Sequence, residues 1–113
     1  MFITDPIFLF FGLLAGHALA DYPLQSEFMA IGKGSREKPH NGVPWYYCLG
    51  AHCLVHGLVV ALITTNVWLG IAETICHWFI DDAKCRKWTD IHTDQALHIA
   101  CKVIWILVVG FTM

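Results

Sequence analysis

The stretch ETICHWFIDDAK, residues 73–84, sets three ionisable residues into a strongly apolar segment. Glu73, His77 and Asp81 follow one another at intervals of four, so a helix presents all three on one face. Their neighbours include Phe79, a residue that favours a lipid or protein interior. A polar row on an apolar helix predicts that the row faces something other than hydrocarbon.

The composition of the whole chain is typical of a membrane protein. Of its 113 residues, 57% are hydrophobic and 14% are charged, and the mean hydropathy is +0.56. A soluble domain is about 25% charged, and a chain this short buries only part of its apolar surface. We therefore expect one integral-membrane domain over residues 1–113. The net charge of −2 and the absence of a basic cluster give no indication of a nucleic-acid partner.

Four apolar segments predict an all-α fold, a transmembrane four-helix bundle. The segments are about 3–22, 45–63, 65–81 and 94–113. A spanning helix needs about 17–25 residues, so the third segment is the shortest of the set. Six of the seven Lys and Arg residues lie in the two loops, about 23–44 and 82–93. The positive-inside rule places such loops in the cytoplasm, which predicts both termini on the non-cytoplasmic side.

Each of the four segments carries ionisable residues four positions apart, on one helix face. The pairs are His17 with Asp21, His52 with His56, His77 with Asp81, and Asp94 with His98. In the alternating topology the four His stripes lie about 5–13 Å below the cytoplasmic boundary, at 1.5 Å per residue. A charged residue at the bilayer centre costs about 2.5–3.5 kcal/mol on insertion scales. The stripes are therefore expected to face one another and to share a bound cation.

Imidazole and carboxylate groups together are typical ligands of Zn, Mn, Fe or Ni, and we expect a divalent metal ion, with Zn favoured. The predicted ligands are His17, Asp21, His52, His56, His77, Asp81 and His98. Asp94 is an eighth candidate ligand. Glu73, Asp94 and Lys84 are also predicted to be catalytic, with the two carboxylates acting as general bases. One ion takes three or four ligands, so one or two ions fit. A metal that activates water and polarises a carbonyl or phosphoryl oxygen predicts a hydrolase acting on a lipid or another membrane-associated substrate.

Other functions use the same residue types. A b-type haem binds between His residues of facing helices, although it does not require the repeated Asp residues. Chains of intramembrane acids and His residues also conduct ions or protons, and a phage holin-like protein needs no metal. A single His in a membrane helix commonly bridges to another helix, and Lys102 is expected to pair with Glu73. Small residues allow close contacts between helices, including helices of different chains, so a homo-oligomer is possible. These residues are Gly12, Gly16, Gly50, Gly57 and Gly70.

The motifs HALADYPLQ, AHCLVH, HWFIDDAK and DQALH occur in this order along the chain. Together they resemble an uncharacterised family of small multi-pass membrane proteins from bacteria and their phages, a domain of unknown function. The resemblance covers nearly the whole chain and implies the inner membrane of a bacterium or of a phage-infected host. It adds Gln25 and Gln95 as residues that orient the ligands. A looser similarity to membrane-bound metal-dependent hydrolases implies the same activity.

Overall fold

The protein is all-helical in a computed structural model that describes residues 5–112. Its helices are α1 (Pro6–Asp21), α2 (Glu27–Gly32), α3 (Trp45–Thr64), α4 (Val67–Cys85) and α5 (Ile91–Thr112). No strand forms within this part of the chain. The four long helices begin and end within a few residues of the predicted segments. The ends of the first and last predicted segments, at residues 3–4 and 113, lie outside the described residues.

Helix α2 corrects the prediction of a plain loop over residues 23–44. Ser26 begins this helix, because its hydroxyl accepts a hydrogen bond from the Met29 backbone amide at 3.1 Å. Such a cap satisfies one of the free amides at a helix start. The helix has only six residues, too few for a repeating apolar pattern to stand out in the sequence. It packs against α3 and so covers one end of the longer helices.

Short, capped connections join the long helices. Thr65 adopts a left-handed conformation with φ of 53°, and the Asn66 side chain accepts hydrogen bonds from the first amides of α4. This tight turn makes α3 and α4 antiparallel neighbours, as the sequence predicts. At the start of α5, the exposed Asp90 carboxylate accepts a hydrogen bond of 2.7 Å from the Thr93 amide. That amide holds the pKa of Asp90 below its usual value.

The long helices contact one another in a closed order, α1 with α3, α3 with α4, α4 with α5, and α5 with α1. The α3–α4 contact is the most extensive, and glycines make it close. A Cβ atom on Gly70 would lie 2.6 Å from the Gly57 carbonyl oxygen. On α1, Gly12 and Gly16 face Ile63 and Val59 of α3. These four glycines therefore serve contacts within the chain.

The protein carries apolar side chains outside and polar side chains inside. Among the described residues, eleven polar or charged side chains are buried beside ten apolar ones, and many large apolar side chains are exposed. Two helices, Trp45–Thr64 and Ile91–Phe111, are long and apolar enough to cross a membrane, and α1 is apolar but shorter. The 46 Å long axis is close to the thickness of a bilayer with its head groups, about 40–45 Å.

Replacing Gly57 with Ala is expected to destabilise the α3–α4 contact. The added Cβ would overlap the Thr74 hydroxyl and lie 2.6 Å from the Gly70 carbonyl oxygen, and such overpacking costs about 1–3 kcal/mol. Thermal unfolding in detergent, followed by Trp fluorescence, should show a lower midpoint. Gly110→Ala is the control, because its Cβ would meet nothing within 4 Å. Equal midpoints for Gly57→Ala and the wild type would contradict this packing.

Candidate metal centre in the helical core

Five imidazole rings from the four long helices meet in the interior. They belong to His17 on α1, His52 and His56 on α3, His77 on α4 and His98 on α5. All five side chains are at most 5% exposed. The rings of His56 and His77 stack with centroids 3.8 Å apart, and those of His77 and His98 with centroids 4.1 Å apart. The structure therefore brings together every His that the sequence predicts as a ligand.

The Asp21 carboxylate lies among three of these rings. Its Oδ1 is 3.0 Å from His56 Nε2 and 3.2 Å from His52 Nε2. Its Oδ2 is 3.3 Å from His17 Nε2, one turn earlier on α1. Asp21 is the last residue of α1 and lies on the same helix face as His17, one turn later. A carboxylate between imidazoles is a common arrangement of metal ligands.

Four ligand atoms lie close enough together to hold one metal ion. One side-chain oxygen or nitrogen from each residue falls within 4.8 Å of the others, and the residues are Asp21, His52, His56 and His77. Three helices contribute to this group. The set combines three imidazoles with one carboxylate, a ligand combination that suits Zn²⁺.

Several buried polar atoms of the cluster form no hydrogen bond within the described part of the chain. They are His17 Nδ1, His52 Nδ1 and Nε2, His77 Nδ1 and Nε2, His98 Nδ1 and Asp94 Oδ1. His52 Nε2 is near Asp21 but is not aligned for a hydrogen bond. A buried polar atom without a partner costs about 1–3 kcal/mol, and native proteins contain few of them. So many in one cluster distinguish this part of the interior from an ordinary hydrogen-bonded core.

Gln95 connects three ionisable residues of the cluster: His17, Asp21 and Asp94. Its side-chain Nε2 donates to Asp21 Oδ2 and to Asp94 Oδ2, both at 3.1 Å. Its Oε1 lies 3.0 Å from His17 Nε2, and because an amide oxygen only accepts, the imidazole donates there. Gln25, by contrast, bonds the backbone oxygen of Asp21 at 3.0 Å and reaches no imidazole. Of the two predicted glutamines, Gln95 is the one placed to orient the ligands.

Asp81 lies beside cations as well as beside His52. Its Oδ2 accepts a hydrogen bond of 2.7 Å from Lys33 Nζ and is 3.7 Å from His52 Nε2. Its Oδ1 is 3.3 Å from Lys84 Nζ, which also lies 3.7 Å from Asp94 Oδ2. The sequence assigns Lys33 only to a cytoplasmic loop, yet α2 carries it into the interior, where it is 5% exposed. No periodic pattern in the sequence signals this pairing.

Glu73 forms a buried ion pair with Lys102, as the sequence predicts. Its other oxygen accepts a hydrogen bond of 3.0 Å from Trp105 Nε1. The first oxygen also lies 3.8 Å from His77 Nδ1. Both oxygens of Glu73 therefore accept hydrogen bonds, and this carboxylate lies on the Nδ1 side of the His77 ring.

A second charged group surrounds Asp82 outside the cluster. Asp82 pairs with Arg36 and, at 3.0 Å, with Arg86 Nε. The Arg36 guanidinium also lies 3.5 Å from the ring centre of Trp45, a cation–π contact. These contacts fasten the segment after α2 to the ends of α3 and α4, next to the metal-ligand candidates.

The structure thus defines an all-helical protein with helices apolar enough for a membrane and a buried His/Asp cluster. The chain belongs to the family described as "Protein of unknown function (DUF3307)", whose model matches residues 9–113. Neither a curated protein nor a solved structure matches it significantly. The family assignment supports the resemblance to a domain of unknown function and adds no reaction.

Replacing Lys102 with Met is expected to destabilise the protein strongly. The change leaves Glu73 charged and buried without its ammonium partner, and breaking a buried pair in this way costs about 3–5 kcal/mol. The double variant Lys102→Met with Glu73→Gln should recover most of the loss, since it removes the unpaired charge and leaves an amide oxygen to accept from Trp105. Unfolding midpoints in detergent measure both. A single variant as stable as the wild type would contradict a buried ion pair.

Proposed function

We propose that the protein is an integral-membrane metalloprotein whose four long helices all cross the bilayer. The exposed apolar side chains face membrane lipid, and the His/Asp cluster faces inward. In this arrangement the cationic loops lie in the cytoplasm, and both termini lie on the other side. The bacterial inner membrane suits this topology. The proposed activity is metal-dependent hydrolysis of a lipid or another membrane-associated substrate.

The observation that carries this proposal is the group of four ligand atoms within 4.8 Å of one another. Zinc–ligand bonds are about 2.0–2.2 Å for His and Asp, so the ligand atoms of a tetrahedral ion lie about 3.3–3.6 Å from one another. Small side-chain rotations bring the four atoms to that spacing. One carboxylate and three neutral imidazoles bind a divalent ion with a net charge of one. Zn²⁺ is the ion of first choice, and Mn, Fe and Ni accept the same ligands.

The remaining polar groups have roles beside this ion. His17 and Asp94 connect to Asp21 through Gln95, and His98 Nε2 lies 3.4 Å from Asp94 Oδ1. They are placed either to hold a second ion or to move protons to and from the reacting water. When bound, the metal would activate water and polarise the substrate. Asp94, whose Oδ1 lies 3.4 Å from His98 Nε2, is the carboxylate we assign as general base.

Glu73 is better suited to position His77 than to accept protons. Its oxygens bind Lys102 and Trp105, which keeps the carboxylate in one orientation behind His77. A carboxylate that hydrogen-bonds a metal-bound imidazole fixes the ring and its tautomer, and we propose that the 3.8 Å between Glu73 Oε1 and His77 Nδ1 shortens to a hydrogen bond when the metal binds. The sequence-based assignment of Glu73 as a base is therefore replaced in this proposal by a positioning role.

The position of the apolar core favours a site that opens to one leaflet. The buried apolar cluster includes Leu9, Leu13, Val60, Leu69 and Val109. Its α1 members precede His17, and its α5 member follows His98, so this cluster fills the half of the bundle away from the imidazoles. A proton or ion pathway needs polar groups across the whole membrane. The core thus favours an enzyme with access from the cytoplasmic leaflet.

Haem is the second candidate, and the ring geometry argues against it. Haem ligands approach the iron from opposite faces of a wide macrocycle. The rings of His56, His77 and His98 stack on one another at 3.8 and 4.1 Å, which leaves no space for a macrocycle between them. Carboxylates, which haem ligation does not need, lie among the same rings.

The purified protein is expected to contain about one or two divalent ions per chain, because the ligands suffice for that number. Asp21→Asn and His77→Ala should each lose most of this metal while remaining folded by circular dichroism. His92→Ala is the matched control, since His92 is exposed in the described structure. Elemental analysis of detergent-purified samples makes the measurement. A folded wild-type sample without metal would refute the proposal.

The Glu73→Gln/Lys102→Met double variant tests the positioning role. With His77 no longer oriented by a carboxylate, metal affinity should fall about 10–100-fold, as for other residues behind metal ligands. Competition with a fluorescent chelator measures the affinity. Unchanged affinity with lower turnover would instead support Glu73 as the general base.

A further inference from the structure

One cation of the cluster is accessible from outside. The Lys84 side chain is 28% exposed, whereas the Lys33 and Lys102 side chains are 6% and 2% exposed. Its ammonium lies between Asp81 and Asp94 at 3.3 and 3.7 Å. Asp94 is 1% exposed, and its Oδ1 forms no hydrogen bond within residues 5–112 but lies 3.4 Å from His98 Nε2. Lys84 thus stands between the surface and an incompletely bonded interior site.

The charges around Lys84 favour the binding of an anion once a metal ion is bound. Asp21, Asp81 and Asp94 carry three negative charges, and two ammonium groups, those of Lys33 and Lys84, face them. With neutral imidazoles, a divalent ion turns this excess of one negative charge into one positive charge. Arg36 and Arg86 share the single carboxylate of Asp82. Two cations and one anion leave a second positive charge next to Asp81.

We propose that the substrate is a phosphate ester and that Lys84 binds its phosphoryl group. This inference rests on the proposed function, because the positive excess depends on the bound metal ion. A phosphoryl group carries one or two negative charges, which match the excess. Lysine binds phosphate as a point charge, and the Lys84 side chain is the most exposed of the lysines that pair with the buried carboxylates. A neutral carboxylic ester or peptide would leave the excess charge uncompensated.

The corresponding reaction is hydrolysis at phosphorus. The oxygen of water forms a bond to phosphorus, and the ester P–O bond to the alcohol breaks. The proton lost by water goes to the leaving alkoxide, by way of a carboxylate such as Asp94. The products are a free alcohol and a phosphate with one fewer ester bond, and no oxidant or second substrate is required.

Phosphate binding to the metal-loaded protein tests this inference. Inorganic phosphate is titrated calorimetrically into the wild type and three variants, and the affinity is expressed per bound metal ion. We expect Lys84→Gln to weaken binding about tenfold or more, since a hydrogen bond to a charged group is lost. Lys84→Arg should retain most of the affinity. Lys87→Gln is the matched control, because it removes the same charge from an exposed position two residues after the end of α4.

The outcomes separate this inference from the metal site itself. Equal phosphate affinity in Lys84→Gln and Lys87→Gln would show that Lys84 only pairs with Asp81 and Asp94, and would overturn the inference. A wild type that holds metal but binds no phosphate would overturn it and leave the metal site intact. A wild type without metal would end both. Glycerol 3-phosphate and phosphatidic acid in mixed micelles then distinguish a soluble ester from a lipid head group.

Discussion

The burial of ionisable side chains in an apolar chain is the constraint on which the rest of the structure depends. Each unpaired buried charge costs several kcal/mol, and the interior of the described residues contains four carboxylates, two lysines and five imidazoles. The lysines satisfy part of this demand through Glu73 and Asp81. The imidazoles and Asp21 remain crowded together, with several nitrogens unpartnered. A divalent cation compensates such a set more completely than hydrogen bonds among the same groups, because imidazole nitrogens and carboxylate oxygens all bind it.

Much of the fold and of the cluster follows from spacing alone. Residues four apart share a helix face, so the His and Asp stripes predict which faces turn inward, and the long helices coincide with the apolar segments. The pairing of Lys102 with Glu73 follows from the cost of leaving either charge in lipid. Contacts made by irregular segments do not follow in this way. Lys33 reaches Asp81 only because the short helix α2 turns back over α3, and nothing in its local sequence separates it from an ordinary loop cation. The Trp105 bond to Glu73 and the bridging amide of Gln95 depend on the rotation of α5, which spacing does not determine.

The side chains of the interior change from apolar at one end of the helix bundle to cationic at the other, and this order links the fold to the proposed chemistry. The apolar cluster around Leu13 and Val60 fills one half, and the Glu73–Lys102 pair lies at the back of His77. The imidazoles and Asp21 come next. The most exposed cations lie beyond them: Lys84, which pairs with Asp81, and the two arginines that pair with Asp82. In the proposed function, a substrate enters from the cationic side, its charged end meets the ligands, and its apolar part stays in membrane lipid. This order suits a reaction on the head group of a membrane-associated molecule.

The most direct test of the central claim is X-ray absorption at the edge of the metal that copurifies with the protein. A site built from Asp21, His52, His56 and His77 predicts a first shell of nitrogen and oxygen atoms at about 2.0–2.2 Å. It also predicts the outer-shell scattering of about three imidazole rings, which Ala substitution of His52 should reduce by one. A shell that contains sulfur from the free cysteines, or one without imidazole scattering, would contradict the assignment of the His/Asp cluster as a metal centre.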